Sequence, residues 1–403
     1  MNDGFVRIAC ATPAIEVADC MHNAQEIAAL ARQAAQAGAA VVLFPELCVT
    51  AYTCGDLFLQ QALLDEAELA LFEIVRQTRG LDLLLVVGLP VRHGAALYNC
   101  AAVLCHGRVL GLVPKRHIPN YGEFYELRHF RSGPDAVLTH DLRGQPVPLG
   151  SGLVFVHALL PALRIGVEIC EDLWVPNPPS ASLAMGGATV ILNPSASDEV
   201  VGKADFRRQL VQSQSARLIA AYAYADAGEG ESTTDLVFSG HNLIAENGTL
   251  LAESKRYETG LTLADVDVLR LESERRRTTT FPIAPDSLAA IPFSFAIKNL
   301  PLERPVSATP FVPKDDAARS ERCDEILRMQ AQGLATRLRR SKARCATLAL
   351  SGGLDSTLAL IVIARAFDLL GMDRRNILTV TMPGFGTTAR TRGNADALAE
   401  AYG

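Results

Sequence analysis

Three ionisable side chains stand where apolar, strand-like runs end: Glu46 closes VVLFPE, Lys115 closes LGLVPK and Cys170 closes RIGVEIC. Together they could cleave an amide through a covalent intermediate. A thiol attacks a carboxamide only as the thiolate, so a neighbour must take its proton or lower its pKa. Glu46 is the candidate base. A carboxyl group in a dry pocket can accept that proton and return it to the departing nitrogen. The developing oxyanion needs a donor, which contributes roughly 3 to 4 kcal/mol in comparable sites, and Lys115 is suited to supply it. Singly, each residue has a plainer reading: an inert core cysteine, a capping glutamate, a solvated lysine. Three strand ends in one α/β segment favour a site, because ligands of such sheets lie beyond the strand termini.

A second signal is TLALSGGLDSTLALIVIARA at 347–366, which reads as strand, glycine-rich turn and helix. No Gly-Lys-Ser/Thr follows, so this is not a Walker sequence. Two glycines let backbone amides approach oxygen atoms, serines add hydroxyl donors, and the helix from Thr357 turns its positive end to an anion. Pyrophosphate fits. Asp355 would repel it unless a cation lies between them, which makes Asp355 a candidate magnesium ligand.

The elements that must position these groups alternate. Strand signals at 5–9 and 40–44 flank an alanine-rich helix at 24–37, and strands follow at 83–88, 97–105 and 108–113, the last two joined by a His106-Gly107 turn. More strands are expected at 153–156, 163–169, 189–192, 221–225 and 236–244, with a helix at 206–221, so the sheet should be mixed. Asn247-Gly248-Thr249 reads as a turn. From Leu269 the composition shifts to charge, proline and threonine, which reads as a surface connector. Residues 1–270, 271–313 and 314–403 are thus expected as a hydrolytic domain, a connector and a nucleotide domain, the last with a helix at 319–340 and a strand at 377–382.

With 403 residues and about half of them apolar, two or three cores are within reach. A net charge of −6 argues against nucleic acid as the main partner. Nine cysteines without zinc or disulfide spacing suit a reducing, cytoplasmic setting. No signal peptide is evident, and no run reaches the ~18 apolar residues of a membrane span.

FPELCVTAY, LVPKRHIPNYGEFYE and GVEICEDLW, in that order, resemble the three motifs of the carbon-nitrogen hydrolase (nitrilase) superfamily. The resemblance runs from about Phe5 to Val268 and implies an αββα sandwich, with Cys170 as nucleophile, Glu46 as base, Lys115 as oxyanion stabiliser and Glu126 as the second, orienting glutamate. NPSASDEVVGK and the tyrosine of PNYGEFYE are similar to the glutamine-holding segments of the glutaminase branch, which implies that Tyr121, Ser197 and Lys203 contact the substrate; an arginine often fills the place of Lys203. Tyr52, Glu171 and Trp174 flank the motifs and can line the pocket.

SGGLDS resembles the PP-loop of ATP pyrophosphatases, an adenine nucleotide alpha hydrolase-like α/β fold, and implies ATP contacts from Leu350, Ser351, Gly352, Gly353, Leu354, Asp355 and Ser356. TMPGFGTTARTRGNADALAEAYG resembles the NAD synthetase branch, with Thr381 to Gly384 beside the adenine; Met382 can equally be a core residue. The whole chain is similar to glutamine-dependent NAD synthetases. That likeness implies glutamine, ATP and deamido-NAD as substrates, Mg2+ as helper, an ammonia tunnel and a homo-oligomer. The chain stops at Gly403, within a helix expected from about Thr391, so it reads as a truncated form that hydrolyses glutamine but makes little NAD, with an unpaired sheet edge. A stand-alone amidase with an inert appendage and a regulatory glutamine sensor are the rival readings.

Overall fold

A computed structural model describes residues 3–282, 288–382 and 389–403. Two compact units result, Met1–Pro305 and Val306–Gly403. In the first, β1 (Phe5–Thr12), α1 (Cys20–Gln36), β2 (Val41–Leu43), α2 (Gln61–Thr78), β3 (Leu84–His93), β4 (Ala96–Cys105) and β5 (Arg108–Pro114) come first. Next are β6 (Leu138–Leu142), β7 (Gln145–Leu149), β8 (Leu153–His157), β9 (Arg164–Val167), α3 (Pro179–Met185), β10 (Val190–Ser195) and α4 (Lys203–Leu218). Last are β11 (Ala221–Asp226), β12 (Leu243–Glu246), β13 (Thr249–Glu253), β14 (Gly260–Asp267), α5 (Val268–Arg277) and β15 (Ala289–Phe293).

The strands form an eight-stranded sheet, β14-β1-β2-β3-β4-β5-β7-β6, and a seven-stranded sheet, β13-β12-β11-β10-β9-β8-β15. Both are mixed: β1, β2 and β3 run parallel, β3, β4 and β5 antiparallel, and β9, β10 and β11 parallel. Alternation explains the layering. Val6, Ile8, Leu84 and Val86 enter the core between the sheets with Phe155 and Ile165, whereas Ala9, Ala11, Leu85 and Val87 face the outer core with α1 and α2 residues such as Ile27, Leu71 and Ile74. On the far side Ile191, Tyr222 and Leu243 pack with Leu183 and Val211 of α3 and α4. The order is therefore helix, sheet, sheet, helix, and strands covered on both faces read as unbroken apolar runs.

Several boundaries differ from the sequence expectation. The helix expected at 206–221 begins earlier, at Lys203. The strand expected at 236–244 is confined to β12, with only a bridge from Phe238 to Asp198 before it. Asn247-Gly248 does form the tight turn of a hairpin, both residues having positive φ (44° and 83°), as do His106-Gly107 (46° and 75°).

The connector at 271–313 is the main correction. Its start completes α5, and Ala289–Phe293 pairs in parallel with Leu153–His157 as β15. Pro292 hid this strand; at a sheet edge its missing N–H costs nothing. His157 packs edge-on against Phe293 and Phe295, Arg7 binds Glu303 and the Pro301 carbonyl, and Arg304 grips Glu246 with two hydrogen bonds of 2.6 and 2.8 Å. The segment to Pro305 belongs to the first unit.

In the second unit α6 (Asp316–Ser341) is followed by β16 (Ala346–Ala349), α7 (Leu354–Leu370), β17 (Ile377–Val380) and α8 (Ala389–Tyr402). β16 and β17 pair in parallel around α7, and Phe367 and Ala366 of α7 pack on Ala335 and Leu338 of α6. This is a strand–turn–helix–strand unit with parallel strands, as expected for the opening of an α/β domain. Among the described residues no helix is long and apolar enough to cross a membrane.

Candidate active site

After β2 the chain turns through Pro45 and Glu46 directly over Gly88 of β3. A Cβ on Gly88 would lie 2.2 Å from the Leu47 nitrogen and 2.7 Å from the Pro45 carbonyl, so glycine there lets the Glu46 turn sit on the sheet. Three donors converge on the buried Glu46 carboxylate. Lys115 Nζ (2.7 Å) and Asn99 Nδ2 (2.6 Å) reach Oε1, and the Ala196 amide (3.0 Å) reaches Oε2.

Lys115 follows β5 and is fully buried. Its ammonium also donates to Glu126 Oε1 at 2.7 Å, and Glu126 accepts from the Tyr52 hydroxyl at 2.9 Å. One ammonium thus bridges two carboxylates out of water. Burial works to lower the Lys115 pKa, but Glu126 and Glu46 hold it well above the usual lysine range. Burial, opposed by Lys115, pushes Glu126 up to about 7.

Cys170 begins a short 3-10 turn, Cys170–Leu173, beyond β9, with a left-handed φ of 43°. For a residue with a Cβ this costs about 1–3 kcal/mol and needs anchors to persist. They are present. The Cys170 amide donates to Asn193 Oδ1 at 2.9 Å, and Asp172 accepts from the amides of Ile169 (3.0 Å), Arg116 (3.2 Å) and His117 (2.8 Å), fastening the cysteine turn to the segment after Lys115. Burial, then the charge of Glu46, lifts the thiol well above the usual cysteine range, while Lys115 acts the other way. The resting thiol therefore keeps its proton and needs a base for attack, and Glu46 is the carboxylate that acts on it most strongly.

Each of the expected substrate residues has partners of its own. Tyr121 is exposed and donates to Glu171 at 2.9 Å. Lys203, first residue of α4, pairs with Asp198 and lies 5.5 and 5.9 Å from the Trp174 and Phe124 rings. Ser197 is buried; its amide donates to Asp226 at 2.9 Å and its hydroxyl accepts from Arg207 at 3.3 Å. No hydrogen bond among the described residues joins Tyr121, Ser197 and Lys203 directly.

Residues 7–276 match the carbon-nitrogen hydrolase family. The chain belongs to that family. It is 43% identical to the glutamine-dependent NAD(+) synthetase of Mycobacterium tuberculosis (strain ATCC 25618 / H37Rv), over 99% of this chain and 60% of the relative, and 43% identical to that of Mycobacterium leprae, over 100% and 61%. It therefore spans about 60% of the length of the curated relatives it matches. Among solved structures, a glutamine-dependent NAD(+) synthetase from Cytophaga hutchinsonii superposes with a TM-score of 0.59 at 24% identity, covering 99% of this chain and 64% of the other. An amidase from Nesterenkonia sp. gives 0.52 at 24%, covering 69% and 97%. These structural matches bear on fold alone, and they agree with the nitrilase-like sandwich of the first unit.

The carbon-nitrogen hydrolase unit also uses residues that the motifs did not single out. Asn99, in the middle of β4, reaches Glu46 and, at 3.4 Å, Glu126. An amide within the apolar run LYNCAAVLC was the visible signal. Asn193 in VILNPS is the same kind of exception: it holds the Cys170 amide, accepts from Ser195, and donates to the Tyr222 hydroxyl at 2.9 Å. Tyr222 donates to Glu168 at 2.6 Å, and Glu168 accepts the Ser180 amide at 2.7 Å.

Burial raises Glu168 to about 7 from an ordinary 4.5. Between those values the folded protein binds a proton that the unfolded chain has released, so stability falls as pH rises from about 5 to about 7. Glu168→Gln, which keeps the neutral shape, should flatten that slope. Urea unfolding midpoints at pH 5, 6 and 7 measure it, and an unchanged slope would remove Glu168 as its cause.

In the second unit Leu350 is buried and its amide donates to the Val380 carbonyl, anchoring the turn to β17. Gly352 takes φ 76°, the Gly353 amide meets Ser351 Oγ at 3.3 Å, and Ser351 Oγ lies 3.1 Å from Ser356 Oγ. Leu354 and Asp355 open α7, earlier than the expected start at Thr357, and both are exposed. Of Thr381 to Gly384, Pro383 and Gly384 lie outside the described residues; Met382 is exposed, which corrects its reading as core.

Proposed function

We propose that the first unit is the glutaminase of a glutamine-dependent NAD synthetase. The observation that carries the reading is the ammonium of Lys115 held between Glu46 and Glu126 beside a strained, buried cysteine. In this reading the Cys170 thiol loses its proton to Glu46 as sulfur bonds to the carboxamide carbon, and Lys115 faces the oxyanion. Glu46 then protonates the leaving ammonia. Water, deprotonated by the same carboxylate, cleaves the thioester and releases glutamate. Glu126, tied to Lys115 and Tyr52, keeps the ammonium in place. Tyr121, Ser197 and Lys203 supply contacts to the amino acid end of glutamine.

ATP would adenylate deamido-NAD with release of pyrophosphate, and the ammonia would then displace AMP from the adenylate to form the amide of NAD. Making and consuming ammonia within one enzyme raises its effective concentration over free solution, where it is mostly ammonium. Leu350 to Ser356 form the proposed ATP turn, and the likeness to the synthetases continues through it. Asp355 supplies one carboxylate, which fits an ion shared with phosphate oxygens. Among the described residues no group of three His, Cys, Asp or Glu side chains could hold a metal without such help. A homo-oligomer and a cytoplasmic setting complete the proposal, the latter supported by nine free thiols.

Ammonia release tests the glutaminase reading. Glutamine should be hydrolysed with kcat/KM at least about 100-fold above acetamide or propionamide, which lack the groups that Tyr121, Ser197 and Lys203 would bind. Equal rates on simple amides would favour the stand-alone amidase.

A further inference from the structure

Arg207, in α4 one turn beyond Lys203, is among the largest fully buried side chains of the first unit. Its Nη2 donates to Ser197 Oγ (3.3 Å) and to the Asp198 carbonyl (3.2 Å); its Nη1 donates to Glu199 Oε2 (3.1 Å) and meets His241 Nδ1 at 2.9 Å. Asp226 faces the guanidinium at 3.9 Å through Oδ2, while its Oδ1 takes the Ser197 amide at 2.9 Å. Ser197 is thus held at its backbone by a carboxylate and at its side chain by the cation that the carboxylate faces.

The chemistry of that arrangement has a direction. A guanidinium has donors and no acceptor, so it cannot take a proton from the serine hydroxyl. Ser197 Oγ spends one of its two lone pairs on Arg207, which holds the oxygen in place and turns its O–H away from the cation. Among the described residues that hydroxyl donates to no protein acceptor. The same logic fixes His241, whose Nδ1 must accept from Arg207, leaving Nε2–H to donate to Glu253 Oε1 at 2.7 Å. Every hydrogen bond around Arg207 therefore runs outward from the cation.

We propose that Arg207, backed by Asp226, is a positioning residue that fixes Ser197 as a hydrogen-bond donor and so makes the site select amides carrying a carboxylate. The ligand class is an α-amino acid amide whose carboxylate accepts the Ser197 hydroxyl. Without Arg207 the hydroxyl would be free to turn both lone pairs toward the α-ammonium and would discriminate less. The inference rests on the glutaminase reading and adds to it the group that sets substrate polarity.

Its test compares glutamine with 4-aminobutanamide, the same molecule without the carboxylate. The unaltered protein should prefer glutamine in kcat/KM by at least about 100-fold. In Arg207→Gln that ratio should fall at least about tenfold, through a raised KM for glutamine more than a lowered kcat, with Arg207→Lys retaining part of it. Ser197→Ala should match the Arg207→Gln ratio. Alkylation of Cys170 by iodoacetamide, which needs no recognition of the substrate, should keep its rate in the variants. Equal losses on both amides together with slowed alkylation would reduce Arg207 to a structural role and overturn the proposal. So would an unaltered protein without preference for the carboxylate. Should Arg207→Gln fail to fold, Ser197→Ala and Asp226→Asn decide, and an unchanged ratio in both sinks the idea. Absence of glutamine hydrolysis beside turnover of 4-aminobutanamide would instead bring down the glutaminase reading itself.

Discussion

Cys170→Ala should abolish ammonia release from glutamine, by at least about 10^4-fold, while leaving the unfolding free energy within about 1 kcal/mol of the parent. In the proposed mechanism the loss is large because nothing else in the cluster can form the thioester: Glu46 and Lys115 would act on the sulfur's proton and on the oxyanion, and both roles vanish without the bond. The fold should tolerate the change because Cys170 is held through its amide, by Asn193, and its neighbours through Asp172. Alanine keeps those links. An electrophilic glutamine analogue followed by mass spectrometry checks the assignment from the other side. Cys323 and Cys345 are exposed, whereas the remaining seven thiols, Cys170 included, are buried. A substrate-guided adduct should fall on Cys170, and a simple alkylator should reach the two exposed thiols first. Labelling of Cys323 or Cys345 by the analogue, with Cys170 untouched, would refute the nucleophile.

Lys115→Met should destabilise the protein by about 3–5 kcal/mol and lower glutamine turnover at least about 10^3-fold. Methionine fills the space but leaves Glu46 and Glu126 facing each other without the ammonium between them. Two buried carboxylates so placed cannot both stay ionised, so a proton is retained and the base is lost at neutral pH. The folded variant then binds that proton more tightly than the unfolded chain does, and its stability should fall with rising pH more steeply than the parent's. Adding Glu126→Gln should recover much of the stability and none of the activity. Urea unfolding at pH 6 and 8, with ammonia release at each, measures both halves. A stable, active Lys115→Met would show that the bridge does neither job.

Which parts were legible in the sequence follows from where each residue sits on its element. Glu46, Lys115 and Cys170 stand just beyond β2, β5 and β9, strands covered on both faces and so written as continuous apolar runs that end abruptly at a charge or thiol. The pattern therefore pointed at the site. Asn99 and Asn193 interrupt such runs from within and carried a weaker mark. Arg207 carried none: on a helix an arginine is ordinarily solvated, and only the convergence of Ser197, Glu199, Asp226 and His241 around it shows that it is buried. Long-range pairing was equally hidden. β15 joins β8 across more than a hundred residues, and its proline argued against a strand until its place at the rim was known.

That rim strand has a practical side. Anyone wishing to express the hydrolytic half alone would be tempted to cut at residue 270, where apolar patterning fades. Such a piece would lose Phe293 and Phe295 from the inner layer, strip the rung beside Leu153–His157, and leave Arg7 without Glu303 and Glu246 without Arg304. The sensible place for the scissors is after Pro305.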